Sequence, residues 1–178
     1  MLNDYEKIKK WELWGILWII IVGSLLHFTY EWSNKSPIVG AFSAVNESVW
    51  EHLKLGYFPL LFFSMIEYWF IRNKANSIFL AKSVGIISME LFIVIVFYSY
   101  TSITKKPLLF MDIGSFVVGA IICQTLSLKI MKSNISKTAN YIGLIALILI
   151  GCIFVLFTFN PPQLPMFMDS NTKKYGMK

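Results

Sequence analysis

Five apolar stretches, each long enough or nearly long enough to cross a bilayer, constrain this chain more than any other feature. They cover residues 13–30, 55–71, 78–100, 108–128 and 141–159. A helix needs about 20 apolar residues, at a rise of about 1.5 Å each, to cross about 30 Å of hydrocarbon. Because lipid obliges every backbone group to bond within the protein, the stretches predict an all-α bundle of five transmembrane helices over residues 1–160.

The charged residues agree with a membrane protein and not with a nucleic-acid-binding protein. The net charge is +6, but hydrophobic residues make up 56% of the chain and charged residues only 15%. The basic residues cluster at the ends of the predicted spans, where the preference for positive charge on the inner side explains them. Nine lie on the side of the N-terminus and seven on the other side. We therefore expect the N-terminus inside, the C-terminus outside, membrane lipids as neighbours and no nucleic-acid partner.

Most of the acidic and histidine residues outside the terminal segments fall in the outer half or the midplane of this predicted bundle. Ionisable residues in membrane segments are rare and usually mark a function, so their asymmetry predicts an outward-facing polar pocket. The residues we assign to this pocket are His27, Glu31, Asn46, Glu47, Glu51, His52, Glu90, Tyr98 and Asp112.

Helical spacing indicates which of these side chains share a face. On the first helix, Gly23, His27 and Glu31 recur every four residues, so we expect His27 and Glu31 to point into the bundle. On the fourth helix, Asp112 and Ser115 begin a stripe of small and polar residues that also faces inward.

The second helix is expected to begin at an N-cap formed by Ser43 or Asn46. Such a start places Glu47 in the first turn, on the same stripe as Glu51. His52 then projects about 100° away, so both carboxylates and His52 could not reach one small ion from this helix alone.

Acid–base chemistry is the first function that this set of residues suggests. A buried carboxyl and a neighbouring imidazole can exchange protons with a bound substrate. We expect His27, Glu31 and Glu47 to carry such chemistry, with Asp112 or Glu90 as a second acid and the remaining pocket residues as ligand-binding groups. Hydrogen bonds that merely hold the helices together are the alternative.

A divalent metal ion such as zinc is an open alternative. His27, His52 and two carboxylates would satisfy zinc or a harder cation. The chain contains no HxxxH, HExxH or CxxC spacing, and its two histidines exclude a zinc site built from three. The two cysteines, Cys123 and Cys152, lie within predicted spans and are interpreted as packing residues.

Two further regions carry expectations. The prolines of "NPPQLPMFMDSNTKKYG" end the fifth helix, so residues 161–178 are predicted to form an extracytoplasmic tail, either disordered or acting as a lid. Near the inner ends of the spans, Glu67 and Lys82 are expected to snorkel or to pair at the membrane interface. The inner halves otherwise offer few polar groups, which argues against a transport path.

The motifs "HFTYEWS", "VNESVWEHLKLGYFP" and "NPPQLPMFMDSNTKKYG" together resemble an uncharacterised family of small multi-pass membrane proteins from low-GC Gram-positive bacteria. That resemblance implies the same five-helix fold in a bacterial plasma membrane. In addition, "GSLLHFTYE" and "NESVWEHLKLGYFP" are similar to the His-x-x-x-Glu helix and the following helix of the EXPERA superfamily of sterol isomerases. This second resemblance implies that His27, Glu31 and Glu47 act in proton transfer.

The sequence thus predicts a membrane protein whose pocket binds a lipophilic or lipid-linked molecule, and it leaves open whether the pocket also transforms that molecule by acid–base chemistry. A non-enzymatic transporter or an accessory subunit of a larger membrane complex is the alternative.

Overall fold

The computed structural model describes residues 3–177, and six α-helices account for most of this range. They are α1 (Asp4–Trp32), α2 (Pro37–Gly40), α3 (Val49–Ile71), α4 (Ile78–Thr104), α5 (Leu109–Met131) and α6 (Lys137–Phe159), followed by a 3₁₀ turn at Pro165–Phe167. No strand forms in the described range, and one isolated bridge joins Met168 and Tyr175. The prediction of an all-α fold is confirmed.

Four of the helices, α1, α4, α5 and α6, are long and apolar enough to cross a membrane. This indicates a multi-pass membrane protein. The helix α3 is not among the four, although it contains the apolar stretch 55–71. Every residue from 53 to 60 is buried, and α3 packs against α1, α4 and α6, so its first half lies in the core of the bundle, whereas Met65, Ile66, Trp69 and Phe70 in its second half are exposed. Its polar side chains therefore find partners inside the protein.

The outer surface of α1 is an apolar stripe suited to contact with lipid. Leu13, Leu17, Ile21 and Leu25 recur every four residues on one face, and each is about half exposed. The opposite face carries the fully buried Ile19, which packs in the core between the helices. An apolar exposed stripe of this kind is stable against hydrocarbon and unfavourable in water.

A proline and a glycine bring α1 and α3 into close contact. Pro59 has no N–H, so the carbonyl of Leu55 loses its usual helical donor. A Cβ added at Gly23 would lie 2.4 Å from that carbonyl oxygen, and only glycine leaves room for this approach. The Trp18 indole also donates to the Pro59 carbonyl at 3.0 Å. The small residue in the predicted α1 stripe thus allows close helix packing.

The start of α3 differs from the prediction. Ser48, not Ser43 or Asn46, is the N-cap, and its hydroxyl accepts a hydrogen bond from the Glu51 amide at 3.3 Å. Asn46 instead accepts from the Ser48 amide at 2.9 Å and shapes the turn before the helix. Glu47 therefore lies outside the helix, and the helical spacing that separated it from His52 does not apply.

The chain after α6 folds back over the start of α3. Phe167 is buried, and its ring lies 4.7 Å from that of Trp50 and 5.5 Å from that of Phe157. The Ser170 amide donates to the Glu47 carbonyl at 3.3 Å. Of the predicted tail 161–178, residues up to 177 are described; residues 1, 2 and 178 lie outside the described range.

Candidate functional site

Three of the predicted site residues meet at one end of the bundle. His27 comes from the last turns of α1, Glu47 from the loop before α3, and His52 from the first turn of α3. One ligand atom from each residue lies within 4.8 Å of the others. The His52 Nε2 atom is 3.4 Å from one Glu47 oxygen, and the His27 Nε2 atom is 3.8 Å from the other. We call these three residues the histidine site.

The orientation of His52 is set by its own helix. The Nδ1 atom lies 2.8 Å from the carbonyl oxygen of Ser48, which has no proton to give, so Nδ1–H is the donor. The Nε2 atom of the neutral ring is then a lone-pair site that faces Glu47. A backbone carbonyl in this position is a common means of orienting a histidine that binds a metal ion.

Glu47 is held from the other side by the C-terminal segment. Its amide donates to the Asp169 carboxylate at 3.4 Å, and its carbonyl accepts from the Ser170 amide. The Asp169 carboxylate also accepts from the amides of Asn171 and Thr172, at 2.7 and 2.8 Å. Both backbone groups of Glu47 are therefore fixed by a segment more than 120 residues away in the chain.

Hydrogen-bond donors lower the pKa values of both Glu47 and Asp169. The pKa of Glu47 is lowered, mainly because the His52 imidazole, when it is protonated, donates from Nε2 to this carboxylate, while partial burial acts in the opposite direction. Burial would raise the pKa of Asp169, but the amides of Thr172, Asn171 and Glu47 outweigh it and hold this pKa below its usual value. Both groups are therefore stable as carboxylates at neutral pH.

A polar cavity of about 270 Å³ adjoins the histidine site. Both His27 and Glu47 line it, and the C-terminal segment forms another wall with Asp169 and Lys174. The side chains of His27, Glu47 and His52 are 30%, 42% and 37% exposed. The site is therefore accessible to water and to a polar ligand at this end of the bundle.

Two of the four predicted catalytic residues lie apart from the histidine site. Glu31 lines the rim of the cavity, but its side chain is 68% exposed and pairs with Lys35 at 3.8 Å. The expectation that Glu31 points into the bundle is wrong, because Tyr30 is the buried residue of this turn and Glu31 projects from its exposed side. Asp112 accepts a hydrogen bond from Tyr100 at 2.6 Å, across the turn between α4 and α5.

The predicted ligand-binding residues are also dispersed. Asn46 lines the cavity and donates to the Gly176 carbonyl at 3.1 Å. Glu51 is buried and pairs with Lys54 at 2.7 Å, next to Thr158. Glu90 lies in the middle of α4, where its Oε1 atom is buried and has no hydrogen-bond partner within residues 3–177. Tyr98 is exposed on the surface of α4.

A second polar cluster, at the opposite end of the bundle, was not predicted. The Lys82 ammonium contacts Glu12 at 3.0 Å, Glu67 at 2.7 Å and the Gln124 side-chain oxygen at 3.0 Å. Ser127 donates to the same Glu12 oxygen at 2.8 Å. We call Glu12, Glu67, Lys82, Gln124 and Ser127 the lysine cluster.

All five residues of the lysine cluster are buried, so Glu67 and Lys82 pair inside the protein and not at the membrane interface as expected. The sequence did contain a signal for this cluster. Each of four apolar helices, α1, α3, α4 and α5, carries a polar cluster residue near the same end. The sequence argument against transport assumed that this end held few polar groups, and that assumption is wrong.

Comparisons with known proteins bear on identity but not on chemistry. Neither the curated proteins nor the solved structures searched contain a match to the chain. The similarity to sterol isomerases therefore gains no support from them. One family model, described as a family of unknown function (DUF6512), matches residues 1–177. This match covers nearly the whole chain, and the protein thus belongs to the DUF6512 family.

Proposed function

We propose that the histidine site binds one divalent metal ion of the zinc class and that the ion acts on the polar end of a lipid or lipid-linked molecule. The observation that carries this proposal is the convergence of two imidazoles and one carboxylate, from three separate segments, within 4.8 Å. Two histidines and a glutamate form a known ligand set of catalytic zinc, which keeps its fourth position open for water or substrate.

The spacing of the ligand atoms supports a metal ion. Two atoms that each lie about 2.0–2.1 Å from a tetrahedral zinc ion are about 3.3–3.4 Å apart. The His52–Glu47 separation of 3.4 Å fits this value. The His27–Glu47 separation of 3.8 Å is measured to the other Glu47 oxygen, and one ligand atom from each of the three residues lies within 4.8 Å of the others, so an ion would draw His27 closer. Because Nδ1 of His52 is occupied by Ser48, the lone pair of Nε2 faces a carboxylate. A cation between them replaces repulsion with attraction.

The open side of the site supports a polar ligand. The cavity of about 270 Å³ could hold about nine water molecules at about 30 Å³ each, which is enough for a small head group. An ion bound by His27, Glu47 and His52 would direct its free position toward this space. It would polarise a carbonyl or phosphoryl oxygen, or lower the pKa of a bound water.

The placement in the membrane follows from the same proposal. We place five spans across the bilayer, with α3 packed against α1, α4 and α6, and the N-terminus inside. The histidine site then opens on the outer side at the level of the lipid head groups, and the segment after α6 covers it as a lid. The contacts of Ser170 and Asp169 with Glu47 support this role, because opening the lid would release a metal ligand.

The test is the metal content of protein purified without a polyhistidine tag. Wild type should bind about one equivalent of zinc or cobalt after dialysis. Glu47→Gln and His52→Gln should each weaken binding at least tenfold. Glu31→Gln is the matched control, since Glu31 lines the same cavity but is not a ligand, and it should bind as wild type does. Absence of stoichiometric metal in wild type, or its retention in both ligand variants, would refute the proposal.

Metal-free acid–base catalysis on a lipophilic substrate is the second candidate. It is favoured by the proximity of His52 and Glu47, which form a donor–acceptor pair able to move a proton. The similarity to sterol isomerases points to the same chemistry. A lipid-converting activity that survives chelator treatment but is lost in Glu47→Gln would select this candidate over the first.

A further inference from the structure

The lysine cluster contains more negative than positive charge in a space closed to water. Lys82 and Glu67 are 0% exposed, and Glu12 is 2% exposed. One ammonium and two carboxylates would leave a net charge of −1 among four packed helices. An uncompensated charge in such surroundings is strongly unfavourable, so buried acids are normally paired or neutralised.

The ammonium of Lys82 has no remaining capacity to compensate the second acid. Its Nζ atom donates to Glu12 and Gln124 and forms an ion pair with Glu67 at 2.7 Å, so three oxygens already surround the ammonium. Each carboxyl has one oxygen near the ammonium. The other oxygens, Glu12 Oε2 and Glu67 Oε1, are buried and have no hydrogen-bond partner among the described residues, and Glu67 Oε2 contacts the ammonium as an ion pair without hydrogen-bond geometry. A metal ion is a poor candidate for this site because the ammonium already occupies its centre.

We infer that the lysine cluster binds one exchangeable proton, shared between the carboxyl groups of Glu12 and Glu67. The proton resides on one of the two free carboxyl oxygens and brings the cluster to neutrality. This site is separate from the histidine site. Glu12 and His27 are 15 residues apart on α1, which corresponds to about 22 Å along the helix. The inference does not depend on the proposed function.

The surroundings of the cluster contribute no further cation. Phe63 of α3 presents its ring to Lys82, with the ammonium 6.0 Å from the ring centre. The helix α5 provides the neutral Gln124 and Ser127, next to the buried thiol of Cys123. Within residues 3–177, no other charged side chain pairs with Glu12, Glu67 or Lys82. The two acids and the lysine therefore determine the charge of the site.

A glycine helps to hold this arrangement. A Cβ at Gly15 would lie 1.8 Å from the side-chain nitrogen of Gln124. The Gln124 amide fills the space beside Gly15 and turns its oxygen toward Lys82. Its buried nitrogen has no acceptor in the described part of the chain. The local packing thus supplies Lys82 with a third, neutral acceptor and leaves the two acids to share the proton.

Infrared spectroscopy of the purified protein tests the inference. A protonated carboxyl gives a C=O stretching band that shifts in D₂O, whereas a carboxylate does not. Glu90 is another buried acid, so the measurements use a Glu90→Gln background. The Glu90→Gln protein should show the band of one protonated carboxyl at pH 7. The band should disappear in both Glu12→Gln and Glu67→Gln, because each variant leaves one carboxylate paired with Lys82.

The variant Lys82→Met provides a result in the opposite direction. Without the ammonium, both acids should be protonated, and the band should roughly double. The Glu31→Gln variant serves as the control for an exposed acid and should leave the band unchanged. No band in the Glu90→Gln background would overturn the inference, and so would a band that persists in both Glu12→Gln and Glu67→Gln. The first of these outcomes needs no variant within the cluster, so it holds even if those variants fail to fold.

Discussion

Replacing Lys82 with methionine tests how the bundle tolerates its buried charges. Methionine is similar in length and apolar, so the change removes the ammonium and leaves little empty space. Three contacts of 3.0, 2.7 and 3.0 Å are lost, and two fully buried carboxyls keep no cation. Removing one partner of a buried ion pair typically costs about 3–5 kcal/mol, or a factor of about 10² to about 4 × 10³ in the folding equilibrium.

The matched control is the triple variant Lys82→Met, Glu12→Gln, Glu67→Gln, which contains no charge at this site. Replacing a whole buried ion network by neutral groups is often nearly without cost, so the triple variant should recover most of the lost stability. The assay is reversible unfolding of the protein in mixed micelles, followed by tryptophan fluorescence. A loss below about 1 kcal/mol in Lys82→Met, or a triple variant as unstable as the single one, would refute this reasoning.

Three further predictions concern the histidine site and the helix packing. Asp169→Ala should weaken metal binding about tenfold without unfolding the bundle, because the Glu47 amide loses the carboxylate that accepts its hydrogen bond. The control Asn171→Ala should leave metal binding unchanged in the same titration. Acid should release the C-terminal segment, because the pKa of Asp169 is lower in the folded protein than its ordinary value of 3.8. The stability that Asp169 contributes is therefore present above pH 3.8 and is lost as the pH falls through the lower folded pKa. Limited proteolysis at pH 3 and pH 7 can detect this release. Gly23→Ala should cost about 1–3 kcal/mol of unfolding free energy through its clash with α3, whereas Gly114→Ala, with nothing within 4 Å, should cost less than about 0.5 kcal/mol.

The fold was predictable from the sequence because hydrophobicity alone determines where a membrane helix can form. Each predicted stretch falls within one of the five long helices, apart from Leu108, which is the N-cap of α5. The short helix α2 and the turn at Pro165–Phe167 were not predicted, since they depend on tertiary contacts. The burial of the first half of α3 was not predicted either, because apolar content does not distinguish a lipid-facing segment from one in the protein core.

The histidine site was predictable in its residue types but not in its geometry. His27, Glu47 and His52 were all proposed, but a start of α3 at Ser43 or Asn46 would have separated Glu47 from His52. The N-cap at Ser48 depends on the turn that Asn46 stabilises. The position of Glu47 depends on Asp169, which lies 122 residues later in the chain. Long-range contacts of this kind leave no periodic signal in a sequence.

The helix α1 carries a residue of both polar sites, and its packing argues that the two act independently. Gly23 contacts the Leu55 carbonyl, and Trp18 is bonded to the Pro59 carbonyl, so α1 is fixed to α3 between Glu12 and His27. The two sites share no contact partner among the described residues. Energetic effects at sites separated by more than about 10 Å without shared partners usually add within about 0.5 kcal/mol. The helix α3 also carries a residue of each site, His52 and Glu67. A proton bound at the lysine cluster could therefore influence the histidine site only through a rigid movement of α1 or α3, and a movement of one helix against the other would first have to break the contacts at Gly23 and Trp18.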